Sequence, residues 1–210
     1  MNTSLLLFDT TLRDGSQMSG ISFSLQDKLA IAKALDEFGI HYIEGGFPAS
    51  NPKDAAFFEE TRKMSWKNAK ICAFGATHHK KYSAEKDPHL KILAECHAPV
   101  VVLFGKSSLF HATEILRISP EENLDIITSS IAFLVSQGKE VIFDAEHFFD
   151  GYFQDPKYAI QCLHAAEKGG ASNITLADTN GGMIPEKIKE WMDCGNKNAT
   201  VFTNQRILAN

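Results

Sequence analysis

The feature that most constrains this chain is an alternation. Short apolar runs are separated by longer amphipathic stretches, six times in one order. The runs are Leu5–Phe8, His41–Glu44, Lys70–Phe74, Val100–Phe104, Glu140–Phe143 and Asn173–Leu176. Each is short and continuously apolar at its centre, as expected of strands covered on both faces. Helical patterns follow at Leu25–Phe38, Pro52–Met64, Pro88–Glu95, Glu121–Gln137, Pro156–Lys168 and Pro185–Met192. In the first of these, Leu25, Leu29, Ala32, Leu35 and Phe38 recur at helical spacing before Gly39 provides a stop. The fourth is announced by Ser119-Pro120-Glu121-Glu122: a capping serine, a proline in the first turn, and acids at the positive helix end. Six strand–helix units in strict order predict a parallel sheet.

Alternation alone fits both an open doubly wound sheet and a closed (β/α)8 barrel. The strand ends separate the two. Every run finishes in polar or glycine-rich residues, at Asp9 to Gly15, Glu44 to Gly46, Gly75 to His79, Gly105 to Ser108, Asp144 to His147 and Asp178 to Gly182. Functional groups on each successive C-terminal end suit a (β/α)8 (TIM) barrel, whose site collects all its loops on one rim. A doubly wound sheet gathers them at a single crevice. A complete barrel takes eight units and about 250 residues. Only six to seven units are legible here, with Ala199–Thr203 as the candidate seventh strand. The expectation is one incomplete barrel domain over residues 1–210, with unpaired edge strands that favour association with other chains.

Bulk properties narrow the function. A net charge of −5, with no basic run, argues against a nucleic-acid surface. No stretch reaches the length of a membrane span. Cys72, Cys96, Cys162 and Cys194 are widely spaced and form no Cys-x-x-Cys pair, which predicts a reducing, cytoplasmic setting without disulfides.

The chemistry-bearing motifs sit on the predicted rim. Asp9-Thr10-Thr11-Leu12-Arg13-Asp14-Gly15 places carboxylates, a guanidinium and hydroxyls on one loop after the first strand. A carboxylate there suits a hard divalent cation, and an arginine beside it suits developing negative charge on a substrate oxygen. The bland alternative is a surface ion pair. Tyr42-Ile43-Glu44-Gly45-Gly46-Phe47-Pro48, Phe104-Gly105-Lys106-Ser107, Phe143-Asp144-Ala145-Glu146-His147-Phe148-Phe149-Asp150-Gly151-Tyr152 and Leu176-Ala177-Asp178-Thr179-Asn180-Gly181-Gly182 follow on later strands. His78-His79 is read as a solvated loop, because adjacent side chains point apart, and His147 as a structural residue at a helix entry.

In order and at spacing, from about Leu6 to Ile188, these motifs resemble the family that contains isopropylmalate synthase, homocitrate synthase, citramalate synthase and hydroxymethylglutaryl-CoA lyase. The Asp-Ala-Glu-His-Phe-Phe-Asp-Gly run resembles the citramalate synthase branch. The resemblance implies an acyltransferase that condenses acetyl-CoA with pyruvate, as in isoleucine biosynthesis, using a divalent metal ion (Mg, Mn or Zn). It implies Asp14 as a metal ligand, Arg13 as a catalytic and substrate-binding residue, Glu44 beside Arg13 in the substrate site, Glu146 as the base and Thr179 as a keto-acid contact. It also implies a homodimer at full length. The sequence departs from the family by lacking the metal-binding His-x-His pair of the seventh strand, and no C-terminal regulatory domain is legible. Three alternatives stay open: a sibling synthase or lyase, a catalytically silent barrel remnant, and a doubly wound binding module.

Overall fold

In the computed structural model of the chain, the described residues are 6–189 and 206–209. Their strands are β1 (Phe8–Asp9), β2 (Tyr42–Gly46), β3 (Lys70–Ala76), β4 (Val100–Lys106), β5 (Glu140–Glu146), β6 (Asn173–Leu176) and β7 (Arg206–Ala209). The helices are α1 (Leu25–Phe38), α2 (Pro52–Thr61), α3 (Pro88–Glu95), α4 (Pro120–Ser136), α5 (Phe148–Gln154) and α6 (Pro156–Gly169). All seven strands are parallel and hydrogen-bond in sequence order, β1 through β7. No strand order reverses, so the doubly wound alternative is set aside and the incomplete barrel stands. The candidate strand at Ala199–Thr203, the end of the helix expected over Pro185–Met192, and Cys194 lie outside the described residues.

The helices begin where the local chemistry says they should. Asn51, Asp87, Ser119 and Asp155 each cap a helix through the side chain, and each is followed by a proline in the first turn. Ser24 and Asp27 form a reciprocal capping box at α1, and Gly39 closes that helix at φ 99°. Phe38 corrects the expected apolar face. It is 80% exposed, because it falls in the last turn of α1, beyond the layer that packs on the sheet.

Two-residue periodicity divides the strands between two surroundings. Ile43, Ile71, Ala73, Val101, Leu103, Val141, Phe143 and Ile174 point outward into the main core beneath the helices. Tyr42, Cys72, Val100, Val102 and Ile142 point inward and pack on one another with Phe8 and Phe74. In a flat sheet β2 and β5 would stand about 14 Å apart. Here the Tyr42 hydroxyl donates to Glu140 Oε1 at 2.8 Å, so the sheet curls around its inner face.

The strand ends differ from the sequence reading in an informative way. The first strand is described as Phe8–Asp9; of the expected Leu5–Phe8, Leu5 lies outside the described residues, and the Leu7 carbonyl accepts from His41 and Tyr42. β2 runs from Tyr42 to Gly46 rather than His41–Glu44. β3, β4 and β5 continue past their apolar runs to Ala76, Lys106 and Glu146. Residues assigned to loops by polarity are therefore held in the ladder. Among the described residues Cys72, Cys96 and Cys162 are free thiols, and no helix is long and apolar enough to cross a membrane.

Candidate active site at the C-terminal rim

Following the inward columns upward shows how the site is assembled. Above Tyr42 comes Glu44, above Cys72 comes Phe74, above Val102 come Phe104 and Lys106, and above Ile142 come Asp144 and Glu146. The inner surface thus turns from apolar to acidic within two residues on β2 and β5, while β3 and β4 place Phe74 and Phe104 at that level and Lys106 above them. The β4–β5 register sets Phe104 opposite Asp144 and Lys106 opposite Glu146. Lys106 Nζ and Glu146 Oε2 close to 2.5 Å, with both side chains about one-fifth exposed.

Arg13 occupies the centre. Its Nε donates to Glu44 Oε2 at 2.5 Å, Nη1 donates to Asp14 Oδ1 at 2.9 Å, and the guanidinium lies 3.9 Å over the Phe74 ring. Phe74 stacks on Phe104 at 5.1 Å, giving the cavity an aromatic floor. Glu44 is 1% exposed. Burial pushes its carboxyl up to about 7; the Arg13 charge opposes that rise, and Asp144 and Asp14 add to it. A buried carboxylate on one side and an exposed one on the other leave Arg13 little freedom to reorient.

A 530 Å³ cavity opens above this floor, lined by Arg13, Asp14, Phe104, Asp144, Glu146 and Thr179 among others. Four of the five site residues expected from sequence, Arg13, Asp14, Glu146 and Thr179, converge on it. Glu44 does not line the cavity; the fold places it behind Arg13, as that residue's buried partner. Thr179 is oriented by the backbone: its Oγ1 accepts from the His147 amide at 2.8 Å, which frees the hydroxyl proton to point elsewhere. That amide is presented by a left-handed turn, His147 at φ 57°, a strained conformation for a residue with a side chain. Asp178 serves the loop, accepting from the Gly182 and Met183 amides.

Other residues escaped the sequence reading. Lys28 is buried and pairs with Asp54 at 2.5 Å, while Asp54 also accepts from the Phe47 amide and so ties down the loop after β2. A Cβ on Gly46 would meet Asp54 at 2.4 Å, so glycine is required there. His111, in a one-turn π-helix at His111–Leu116, stacks edge-on against His147 with centroids 4.3 Å apart. Mid-sequence π-turns of this kind carry no composition signal. α5 was also missed. Its seven residues follow β5 directly, and Gly151 packs so closely on the Ser107 and Ser108 backbone that a Cβ would come within 2.5 Å. The His78-His79 loop is engaged rather than merely solvated, since His78 Nε2 lies 2.9 Å from Ser129 Oγ and His79 Nδ1 accepts from the Lys81 amide.

The metal ion expected at Asp14 was tested against the donors present. A hard divalent cation takes six or more oxygen ligands. Asp14 and Asp144 offer carboxylates to the cavity, and Asp144 Oδ1 is buried without a hydrogen-bond partner. Yet among the described residues no three His, Cys, Asp or Glu side chains form a group able to hold a metal. One oxygen of Asp14, Oδ1, also pairs with Arg13. The described donor set does not by itself fit a divalent ion.

Comparison with known proteins bears on the family and the fold. The (R)-citramalate synthase of Aquifex aeolicus is 53% identical over 190 residues, covering 90% of this chain and 36% of that protein. The (R)-citramalate synthase of Geobacter sulfurreducens is 52% identical over 184 residues, covering 88% of this chain and 35% of that protein. The 2-isopropylmalate synthase of Staphylococcus carnosus is 33% identical over 181 residues, covering 86% and 34%. This chain therefore spans about a third of the length of the curated relatives it matches. The solved hydroxymethylglutaryl-CoA lyase of Pseudomonas aeruginosa superimposes with a TM-score of 0.72 at 17% identity, over 96% of this chain and 66% of that one, which supports the barrel fold. A family profile described as HMGL-like matches residues 4–203, so with the rim motifs, the curled parallel sheet and these relatives in agreement, the chain belongs to the HMGL-like family.

Proposed function

We propose that this chain carries the keto-acid side of a condensing site that joins acetyl-CoA to pyruvate, giving citramalate and free CoA. The observation that supports it most is the convergence of Arg13, Glu146 and Thr179 on one cavity with an aromatic floor. High identity to (R)-citramalate synthases over nearly the whole chain favours this branch over its siblings.

In this reading the keto-acid oxygens lie against Arg13, whose orientation is set by Glu44 and Asp14. Thr179 donates its hydroxyl proton to the same substrate. Glu146, once its bond to Lys106 opens, accepts a proton from the acetyl methyl group. The enolate carbon attacks the pyruvate carbonyl carbon, and Arg13 stabilises the charge that develops on oxygen. Water then cleaves the thioester. A divalent ion (Mg, Mn or Zn) at Asp14 would need donors beyond those described, and no step above depends on one. The reading also carries the expectation of a cytoplasmic homodimer.

Incubating the purified chain with acetyl-CoA and pyruvate, and following thiol release, tests the proposal directly. Release that requires pyruvate and is lost in Arg13→Met supports it. A second reading is a barrel that binds keto acid without turnover, favoured by the close Lys106–Glu146 pair, which occupies the expected base. Pyruvate binding without thiol release would distinguish that case.

A further inference from the structure

Asp144 has no task in the reaction as written. It lies on the inward column of β5, one pleat below Glu146 and opposite Phe104 in the ladder. It is 9% exposed, lines the 530 Å³ cavity, and its Oδ1 is a buried oxygen with no hydrogen-bond partner. The neighbouring inward position below it is Ile142, fully buried in apolar contacts, so the column needs no acid for packing. Buried polar atoms are satisfied almost everywhere in native structures, so an unpartnered carboxyl oxygen on a side chain that lines a cavity calls for a functional explanation. Charged groups reach Asp144 from three directions: Arg13 and Asp14 from the loop after β1, Glu44 from β2 and Glu146 from its own strand.

We propose that Asp144 is a further catalytic residue, whose carboxyl group meets the oxygen that is a ketone in pyruvate and a hydroxyl in citramalate. The inference rests on the keto-acid reading of this cavity. As the carbon–carbon bond forms, the carbonyl π electrons move onto that oxygen. The carboxyl O–H of Asp144 breaks and the alcohol O–H forms, so the proton passes from Asp144 to the product. The carboxylate left behind then accepts a hydrogen bond from the new hydroxyl. The proton taken from the methyl group by Glu146 returns to Asp144 through solvent, and the count closes. Burial pushes the Asp144 carboxyl up to about 6, with Arg13 opposing that rise and Glu146 and Asp14 adding to it, so the group exchanges a proton near neutrality.

Binding of two diacids to the purified 210-residue chain, measured by titration calorimetry, tests this without turnover. Citramalate and 2-methylsuccinate share a carbon skeleton and differ by the hydroxyl. The parent chain is expected to hold citramalate at least about tenfold more tightly, as for a hydrogen bond to a charged group. Asp144→Ala should erase that preference, and Asp144→Asn, which keeps the shape and one hydrogen bond, should retain part of it. Circular dichroism establishes that each variant is folded. Preference undiminished in both folded variants would overturn the inference, as would a parent that binds pyruvate and the two diacids equally well. A parent that binds neither pyruvate nor either diacid would overturn the keto-acid reading, and this inference with it.

Discussion

Two lysine–glutamate pairs stand at opposite ends of β5, and both close to 2.5 Å. At the lower end Lys70 meets Glu140, and the other Glu140 oxygen accepts from the Tyr42 hydroxyl, so the carboxylate is fully engaged. At the upper end Lys106 meets Glu146 beside an open cavity, with Asp144 unsatisfied just below. The pairs have the same chemistry and opposite surroundings. The lower one ties β3 and β2 to β5 beneath an apolar plug. The upper one holds a charge where a ligand can displace it. An ion pair says little about function until the group left unpaired beside it is known.

Breaking the centre of the upper region should have the largest effect. Arg13→Met is expected to abolish pyruvate binding and to lower stability by about 3 kcal/mol, since it leaves the buried Glu44 without its partner. Calorimetry with pyruvate and urea unfolding check both halves. Next comes Glu146→Gln. Turnover should fall by about a hundredfold or more while pyruvate affinity stays within about threefold, because a base acts in the transition state. Equal losses in both quantities would make Glu146 a binding residue.

The pH dependence sharpens the contrast further. Glu44, raised from 4.5 to about 7, and Asp144, raised from 3.8 to about 6, bind protons more tightly in the folded state than in the unfolded one. Their contribution is therefore present below the unfolded values and is lost as pH rises, between about 4 and 7. Glu44→Gln and Asp144→Asn should each flatten that decline by at least about 1 kcal/mol, read from urea midpoints across the range. Smallest of all is the lower pair. Lys70 is 53% exposed, so Lys70→Met should change stability by less than about 1 kcal/mol and leave pyruvate binding untouched. A large loss of binding there would end the division between the two regions.

Much of the architecture was legible because it depends on short-range chemistry. The limits of α1 and α3 follow from Ser24, Gly39, Asp87 and Pro88, and the parallel sheet follows from the order of apolar runs. The rim loop was legible as well, since Arg13 and Asp14 are adjacent in sequence. The upper ends of the strands were not. Polarity at Lys106, Asp144 and Glu146 looked like loop, yet parallel-ladder hydrogen bonds continue there because a curled sheet gives those side chains a shared interior. α5 was hidden for a related reason: Gly151 is a poor helix former, tolerated because the helix packs directly on the Ser107 and Ser108 backbone.

The sequence by itself determined the order and approximate place of the strands and that polar and charged residues follow their apolar runs. Those properties depend on neighbours one to four positions away. Only the tertiary structure decided which charges meet. Lys106 and Glu146 are 40 residues apart and Tyr42 and Glu140 are 98, while the Arg13–Glu44 pair, 31 apart, was expected only through the family resemblance. Such pairings depend on strand register and on the curl of the sheet, neither of which leaves a periodic trace in the chain. The same curl brings Asp144 to the cavity wall and leaves its oxygen without a partner, because a free valence can be recognised only after every neighbour is in place.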